Sequence, residues 1–372
     1  MCTDHDTRPA PVEAATEPGE WRGEVIPLEP VDSISVLTVC DNAVDVLLPD
    51  QEPARRLSLG FDAPRQLEAA TLEEGKLADY PIAQHGFATL VTVRKADRQH
   101  RFLFDTGITP DGCVDNLDRL GQDPATIEAI VCSHGHFDHT TGLSGLARAV
   151  GPRNLPVLIH PDFWLRRRVA IPGRDPIELP TTSRQGLGDA GFDVIERGQP
   201  SFLFSGSLLV TGEVDRTTEF ERGMAVHQAL RNGSWEPDPL VLDDQALIAH
   251  VRGKGLVVLT GCGHAGIVNI CRYARRLTGT DRLHAVIGGF HLGGPLFEPV
   301  IGPTVEALAD MAPDVVVPAH CTGWRAQHAL AARLPDAFIT NSVGTTFTFE
   351  ATIPGAAGGP SGDPSTVPMT SP

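Results

Sequence analysis

Val131-Cys-Ser-His-Gly-His-Phe-Asp-His-Thr-Thr-Gly-Leu143 places His134, His136, Asp138 and His139 within one short stretch. The apolar run Ala129-Ile-Val-Cys132 precedes it. Such a run, closed by a Gly-bearing polar turn, reads as a buried strand feeding a loop. Neutral imidazole and carboxylate are ligands that a borderline cation such as Zn²⁺ prefers. In an extended segment alternate side chains share a face. His134, His136 and Asp138 would then point one way and His139 another, so that one loop could serve two ions. The plainer reading, a His-rich polar turn, leaves three imidazoles beside a carboxylate without a reason.

The same arrangement recurs along the chain. His264, His291 and His320 each follow an apolar strand by a few residues: Gly255 to Thr260, Leu283 to Gly288 and Asp314 to Ala319. In α/β folds, sites gather at the carboxyl ends of strands. Four separate strands bringing histidine to one edge is hard to explain by core packing.

Other motifs are more open. Asp41 and Asn42 end the strand-like run Ile34 to Cys40 and read equally as turn formers or as site residues. His85, just before the strand Ala88 to Val93, reads on its own as a capping or core histidine. His160 ends the strand Leu155 to Ile159 and reads as structural. Phe163 to Arg168 reads as helical. Its three arginines are a solvated face or, alternatively, a clamp for phosphate or carboxylate. A short helical pattern is expected around Arg65 to Leu77. Residues 170–206 and 217–240 show little periodicity, and long excursions of this kind are often lids or binding loops. Asp243 to Val251 and Gly255 to Thr260 read as a hairpin, with a helix following from Ile267 to Leu277.

His134-x-His136-x-Asp138-His139 resembles the signature of the metallo-β-lactamase fold. Further pieces resemble one branch of that superfamily, the methanopterin-type dihydropteroate-synthase-like enzymes. They include Val39-Cys-Asp-Asn42, Gln84-His-Gly-Phe87, Leu103-Phe-Asp-Thr-Gly107 and Asn116-Leu-Asp-Arg-Leu-Gly121. Downstream come Thr211-Gly-Glu-Val-Asp-Arg216, Asp243-Asp-Gln245 and Leu259-Thr-Gly-Cys-Gly-His-Ala-Gly-Ile-Val-Asn269. Gly288-Gly-Phe-His-Leu292 and Pro318-Ala-His-Cys-Thr-Gly323 complete the set. The resemblance runs in one order over about residues 34 to 349.

It implies an α/β architecture, an αββα sandwich of two mixed β-sheets flanked by helices. It also implies two divalent metal ions, zinc first, with manganese or iron as alternatives. His134, His136 and His264 would hold one ion, and Asp138, His139 and His320 the other. Asp105 would orient a histidine ligand from behind. Cys262 stands where many fold members carry a bridging Asp, so it is a candidate bridge, with His264 favoured as ligand. Asp138, His291 and His85 are the implied catalytic groups, His291 as acid/base or substrate contact and His85 on the substrate side. Glu213, Arg216 and Asn42 are candidate substrate contacts. The expected function is a metal-dependent hydrolase that activates water toward a small ester, lactam or phosphoester. The alternative is a transferase displacing diphosphate from a pterin methyl diphosphate, since the branch includes an enzyme joining such a donor to a ribosyl-aminobenzene phosphate. The third reading is a non-catalytic binding module, which the intact signature disfavours.

Composition bounds these readings. The 372 residues carry a net charge of −17, 41% hydrophobic and 21% charged residues. That is ordinary globular composition. Its acidity argues against a nucleic-acid or anionic-membrane partner, and against a nuclease. The expected partner is a small molecule, with a homo-oligomer left open. Seven cysteines without CxxC spacing suggest reduced thiols and a cytoplasmic location. No signal peptide or membrane span is read. The expected organisation is a disordered leader over 1–30, a fold domain over 31–350 with an insertion near the site at 43–80, and a disordered tail over 351–372.

Overall fold

The computed structural model describes residues 13–14, 25–60 and 63–352. Apart from residues 13–14, 25–30 and 351–352, the expected leader and tail lie outside the described residues. The fold is α/β. An eight-stranded sheet runs Phe192–Glu196, Leu155–Ile159, Ala129–Val131, Arg98–Phe104, Ala88–Lys95, Ser33–Cys40, Thr346–Glu350, Ala54–Arg55. A seven-stranded sheet runs Glu13–Ala14, Ser201–Leu203, Leu208–Val210, Leu247–Val251, Gly255–Thr260, Leu283–Gly289, Val315–Ala319. Both sheets are mixed, with parallel pairings where they approach the site.

Strand periodicity explains the layering. Side chains alternate across a strand, so each central strand feeds two cores. Phe102 and Phe104 enter the core between the sheets, where they share a cluster with Val257, Leu259 and Ile287 of the other sheet. Leu103 faces outward and packs with Leu117 and Leu146 of the helices Gly112–Arg119 and Leu143–Val150. On the opposite side Val258 and Val286 pack under the helices Ile267–Thr278, Glu298–Met311 and Trp324–Arg333. The order of layers is therefore helix, sheet, sheet, helix.

The helix Ile267–Thr278 shows why these elements form. Ile267, Ile270, Cys271, Ala274 and Leu277 recur at helical spacing and are all buried. Gly279, at φ +63°, ends the helix in the left-handed region that glycine enters without a Cβ clash. Its first turn is capped from afar: the Glu221 carboxylate accepts from the Val268 and Asn269 N–H groups at 2.9 and 2.8 Å. Among the described residues no helix is long and apolar enough to cross a membrane.

Several local expectations are corrected. Residues 65–77 form no helix but a two-stranded hairpin, Gln66–Glu68 with Lys76–Ala78. It is tied to the helix Gly112–Arg119 through Asp79, which accepts from Arg65 at 2.6 Å and Arg119 at 2.8 Å. The segment Phe163 to Arg168 is not helical either. A 3₁₀ turn, Pro161–Trp164, gives way to the strand Arg167–Val169. That strand joins Ile177–Glu178, His227–Arg231 and Ser234–Pro237 in a separate four-stranded sheet. The stretches taken as irregular thus carry this small sheet. Its alternation was hidden by prolines and by charged residues on its exposed face.

Candidate metal centre

Asp105 ends the strand Arg98–Phe104 at φ +61°, a strained conformation for a residue other than glycine. Its carboxylate accepts from the Ser133 N–H and Ser133 Oγ, both at 2.7 Å. His139 Nδ1 lies 2.7 Å from the same carboxylate. A donor N–H at Nδ1 leaves the Nε2 lone pair of His139 turned the other way, where it sits 3.2 Å from Cys262 Sγ. Ser133 Oγ is 2.9 Å from His134 Nδ1, which fixes that ring by the same logic. One buried carboxylate and one serine therefore aim two imidazoles.

The loop is not extended throughout. Phe137–Thr140 forms one helical turn, so Asp138 and His136 do not share a face as the alternation argument expected. Asp138 turns toward His139 and His320, with its Oδ2 3.7 and 3.3 Å from their Nε2 atoms. His134 Nε2 faces His136 Nδ1 at 3.0 Å. His264 closes that side, its ring 4.8 Å from His134 and 4.9 Å from His136.

Two donor groups result. Asp138, His139, Cys262 and His320 offer ligand atoms within 4.8 Å of one another, as do His134, Cys262 and His264. Two ligands each about 2.0–2.3 Å from one cation lie up to about 4.6 Å apart, so a shared ion needs at most a few tenths of an ångström of closure at these spans. Both ring nitrogens of His264 and of His320 are buried without a hydrogen-bond partner. Desolvated imidazole nitrogens left unpaired are costly, and a cation answers that cost. Protonation behaviour agrees. Burial and the neighbouring imidazoles hold His134 and His264 well below the usual histidine range, so both rings are neutral. Burial also opposes a charge on His139, but the carboxylates of Asp105 and Asp138 outweigh it and push the ring up to about 9. Around Asp138 the cluster seeks positive charge. The donor set fits a divalent cation.

A supporting layer surrounds these residues. Asp41 accepts from the His320 N–H at 2.9 Å, and Asn42 donates to the His320 carbonyl at 2.7 Å. Asn42, expected to contact substrate, instead braces a loop whose His320 sits at φ +48°. Arg216 donates to the His264 carbonyl at 2.9 Å and so also supports backbone, and Glu213 is exposed. His85 stands at the mouth, its Nε2 3.9 Å from Asp138 Oδ2. The His291 ring lies 4.2 Å from that of His264. His160 Nδ1 accepts from the Asp162 N–H, a local structural role.

Sequence reading missed a second network. Arg167, 2% exposed, donates to both Asp243 oxygens and to Asp238. Asp243 in turn accepts from the Gly135 N–H at 2.8 Å and pins the loop between His134 and His136. The arginine run is thus neither a solvated face nor a free clamp at this position. His227 Nε2 is 3.0 Å from His136 Nε2, and its Nδ1 is 3.3 Å from the Asp238 carbonyl. His227 lies in a segment without readable periodicity, so nothing marked it. The motif Pro318 to Gly323 contained Cys321, but the neighbouring histidine drew the attention.

Beside His264 and His291 opens a cavity of about 220 Å³ whose walls include Phe220, Phe290, Leu292 and Phe297. Arg222 stands at its rim. The described cysteines are all free thiols.

A family profile described as the metallo-beta-lactamase superfamily matches residues 83–196. A protein of Methanocaldococcus jannaschii named 7,8-dihydropterin-6-methyl-4-(beta-D-ribofuranosyl)-aminobenzene-5'-phosphate synthase is 30% identical over 254 residues, covering 66% of this chain and 83% of that protein. An uncharacterized protein of the same organism is 32% identical over 247 residues, covering 66% of this chain and 86% of its own length. Among solved structures, Tm1679, described as a metal-dependent hydrolase of the β-lactamase superfamily, superposes with a TM-score of 0.62 at 22% identity. The match covers 86% of this chain and all (100%) of that one.

Proposed function

Because this chain belongs to the metallo-β-lactamase superfamily, in its methanopterin-type synthase-like branch, we propose that it is a transferase joining an aromatic amine to a pterin methyl group with loss of diphosphate. The observation that carries this reading is the apolar, phenylalanine-lined cavity that shares His264 with the donor cluster and is also bordered by His291. Flat aromatic rings gain from burial against such walls. The 30% identity to a protein named as a synthase supports the same choice over a hydrolase.

In this reading His134 and His264, with His136 beside them, would hold one divalent cation, zinc first, and Asp138, His139 and His320 would hold a second, Cys262 being a candidate ligand to either. Bound there, such ions supply Lewis-acid charge that favours departure of a phosphate leaving group. The remaining work falls to the chain itself. Asp105, Ser133 and Asp243 keep the imidazoles aimed. His85, exposed and next to Asp138, receives the proton given up by the amine as its bond to carbon forms. Phe220, Phe290 and Phe297 exclude water from the ring, which favours amine over water as acceptor. The reduced cysteines support a cytoplasmic setting.

The test supplies the metal-loaded protein with a pterin methyl diphosphate, with and without a ribofuranosyl-aminobenzene phosphate, and measures diphosphate and coupled product by mass spectrometry. The expected result is diphosphate release only when the amine is present. Equal release with water alone would make it a hydrolase. No turnover of this donor or of generic esters would leave a binding module.

A further inference from the structure

We infer that Cys262, His291 and Cys321 form an additional cation site of soft character on the flank of the paired centre, suited to a zinc-class ion. Ligand atoms of these three residues lie within 4.8 Å of one another. They come from the carboxyl ends of three adjacent parallel strands, Gly255–Thr260, Leu283–Gly289 and Val315–Ala319. The inference goes beyond the proposed transferase and touches it through Cys262, which both donor groups share, and through His291, which borders the cavity proposed for substrate.

Three observations point to a ligand rather than to packing. His291 Nδ1 is buried without a hydrogen-bond partner, an arrangement that costs desolvation unless something occupies the lone pair. The His291 backbone sits at φ +45°; strain of this kind persists only where its surroundings impose it. Room for the Cys321 thiol depends on a missing side chain, because a Cβ on Gly289 would stand 2.7 Å from Cys321 Sγ. The Cys321 thiol donates to the Cys262 backbone carbonyl at 3.4 Å, which holds Cys321 beside the Cys262 segment.

The donor chemistry separates this site from its neighbour. Two sulfurs and one imidazole, without a carboxylate, select zinc or cadmium over manganese or magnesium. Three protein ligands leave a fourth position open, as in zinc sites that bind exchangeable groups. His291 also lines the phenylalanine cavity, so the open position borders the space proposed for substrate.

The test uses the full chain, stripped with chelator and titrated with Cd²⁺. Bound ions are counted by mass spectrometry, and thiolate-to-cadmium absorption is followed in the ultraviolet. Cys321→Ser, His291→Ala and His139→Ala are compared with the parent. The expected result is that Cys321→Ser loses one ion and about half of the absorption. His291→Ala shifts the midpoint of that phase by about tenfold or more, and His139→Ala leaves the Cys321-dependent phase intact. Parent-like counts and absorption in both Cys321→Ser and His291→Ala would overturn the inference. If His139→Ala and His134→Ala lose no ion while Cys321→Ser does, the paired centre fails and the soft site stands alone. Cadmium NMR of the parent guards against misfolded variants: a resonance with two sulfur ligands supports the site, and one with a single sulfur overturns it.

Discussion

Asp105 Oδ2 and His139 Nδ1 lie 2.7 Å apart, both side chains fully buried. The pair sets which nitrogen of His139 faces the donor cluster. Asp105→Asn keeps the shape but removes the charge, and the amide N–H₂ can face the ring and reverse its tautomer. Metal affinity is expected to fall about 10–100-fold, read by competition with a chelator of known strength. An unchanged affinity would show that the ring is aimed by packing alone.

Arg167 is the buried hub of the second network, held by Asp238 and Asp243. Arg167→Met leaves two buried carboxylates without their cation. Removing one partner of a buried pair costs about 3–5 kcal/mol, so the urea midpoint should drop steeply. Arg167→Lys should rescue only part, because a lysine cannot reproduce the fork on Asp243. A loss under about 1 kcal/mol in the first variant would contradict the assigned role.

Asp79 gives a pH signature away from the metal centre. Burial raises its affinity for protons, but the guanidinium groups of Arg119 and Arg65 outweigh this and hold its carboxyl below the usual range. The folded value is thus depressed relative to the unfolded one. Its stabilisation is therefore present above about pH 4, the unfolded value, and lost as pH falls through the lower folded value. Asp79→Asn should lower stability at neutral pH and flatten this acid limb in urea titrations run at several pH values. An identical acid limb in both proteins would assign the loss to other carboxylates.

Gly261 offers a steric test. A Cβ there would collide with Ser133 Oγ and lie 2.6 Å from Asp105 Oδ2. Gly261→Ala should push the Ser133–Asp105 pair apart and weaken metal binding by about as much as Asp105→Asn. Because the displaced atoms belong to a rigid buried pair, relaxation by rotamer change is blocked. Metal affinity at the parent level would show that the loop yields.

The layers and the strand-end histidines were legible in the sequence because a strand buried on both faces reads as a short continuous apolar run. Ala129 to Val131 and Gly255 to Thr260 are buried throughout and almost wholly apolar for that reason. Other features were not legible, each for a physical cause. Asp138 leaves the face that alternation would give it with His134 and His136 because Phe137 opens a helical turn that sequence spacing alone does not announce. Arg167 looked solvent-facing because its two carboxylate partners lie 71 and 76 residues away. The hairpin around Lys76 is largely exposed and therefore lacks a hydrophobic rhythm. Cys321 carried no spacing signal, since its partners Cys262 and His291 arrive from separate strands.

The donors are divided between the two layers of the sandwich. His134, Asp138 and His139 follow a strand of the eight-stranded sheet, while Cys262, His264 and His320 follow strands of the seven-stranded one. Occupancy would act as a rivet across the rim: each sheet could breathe alone when empty, but opening one against the other would first require releasing the ion. Amide exchange at Ser133 and His320 should therefore slow together as free zinc rises, while exchange in the Gln66–Ala78 hairpin, which belongs to neither large sheet, stays unchanged.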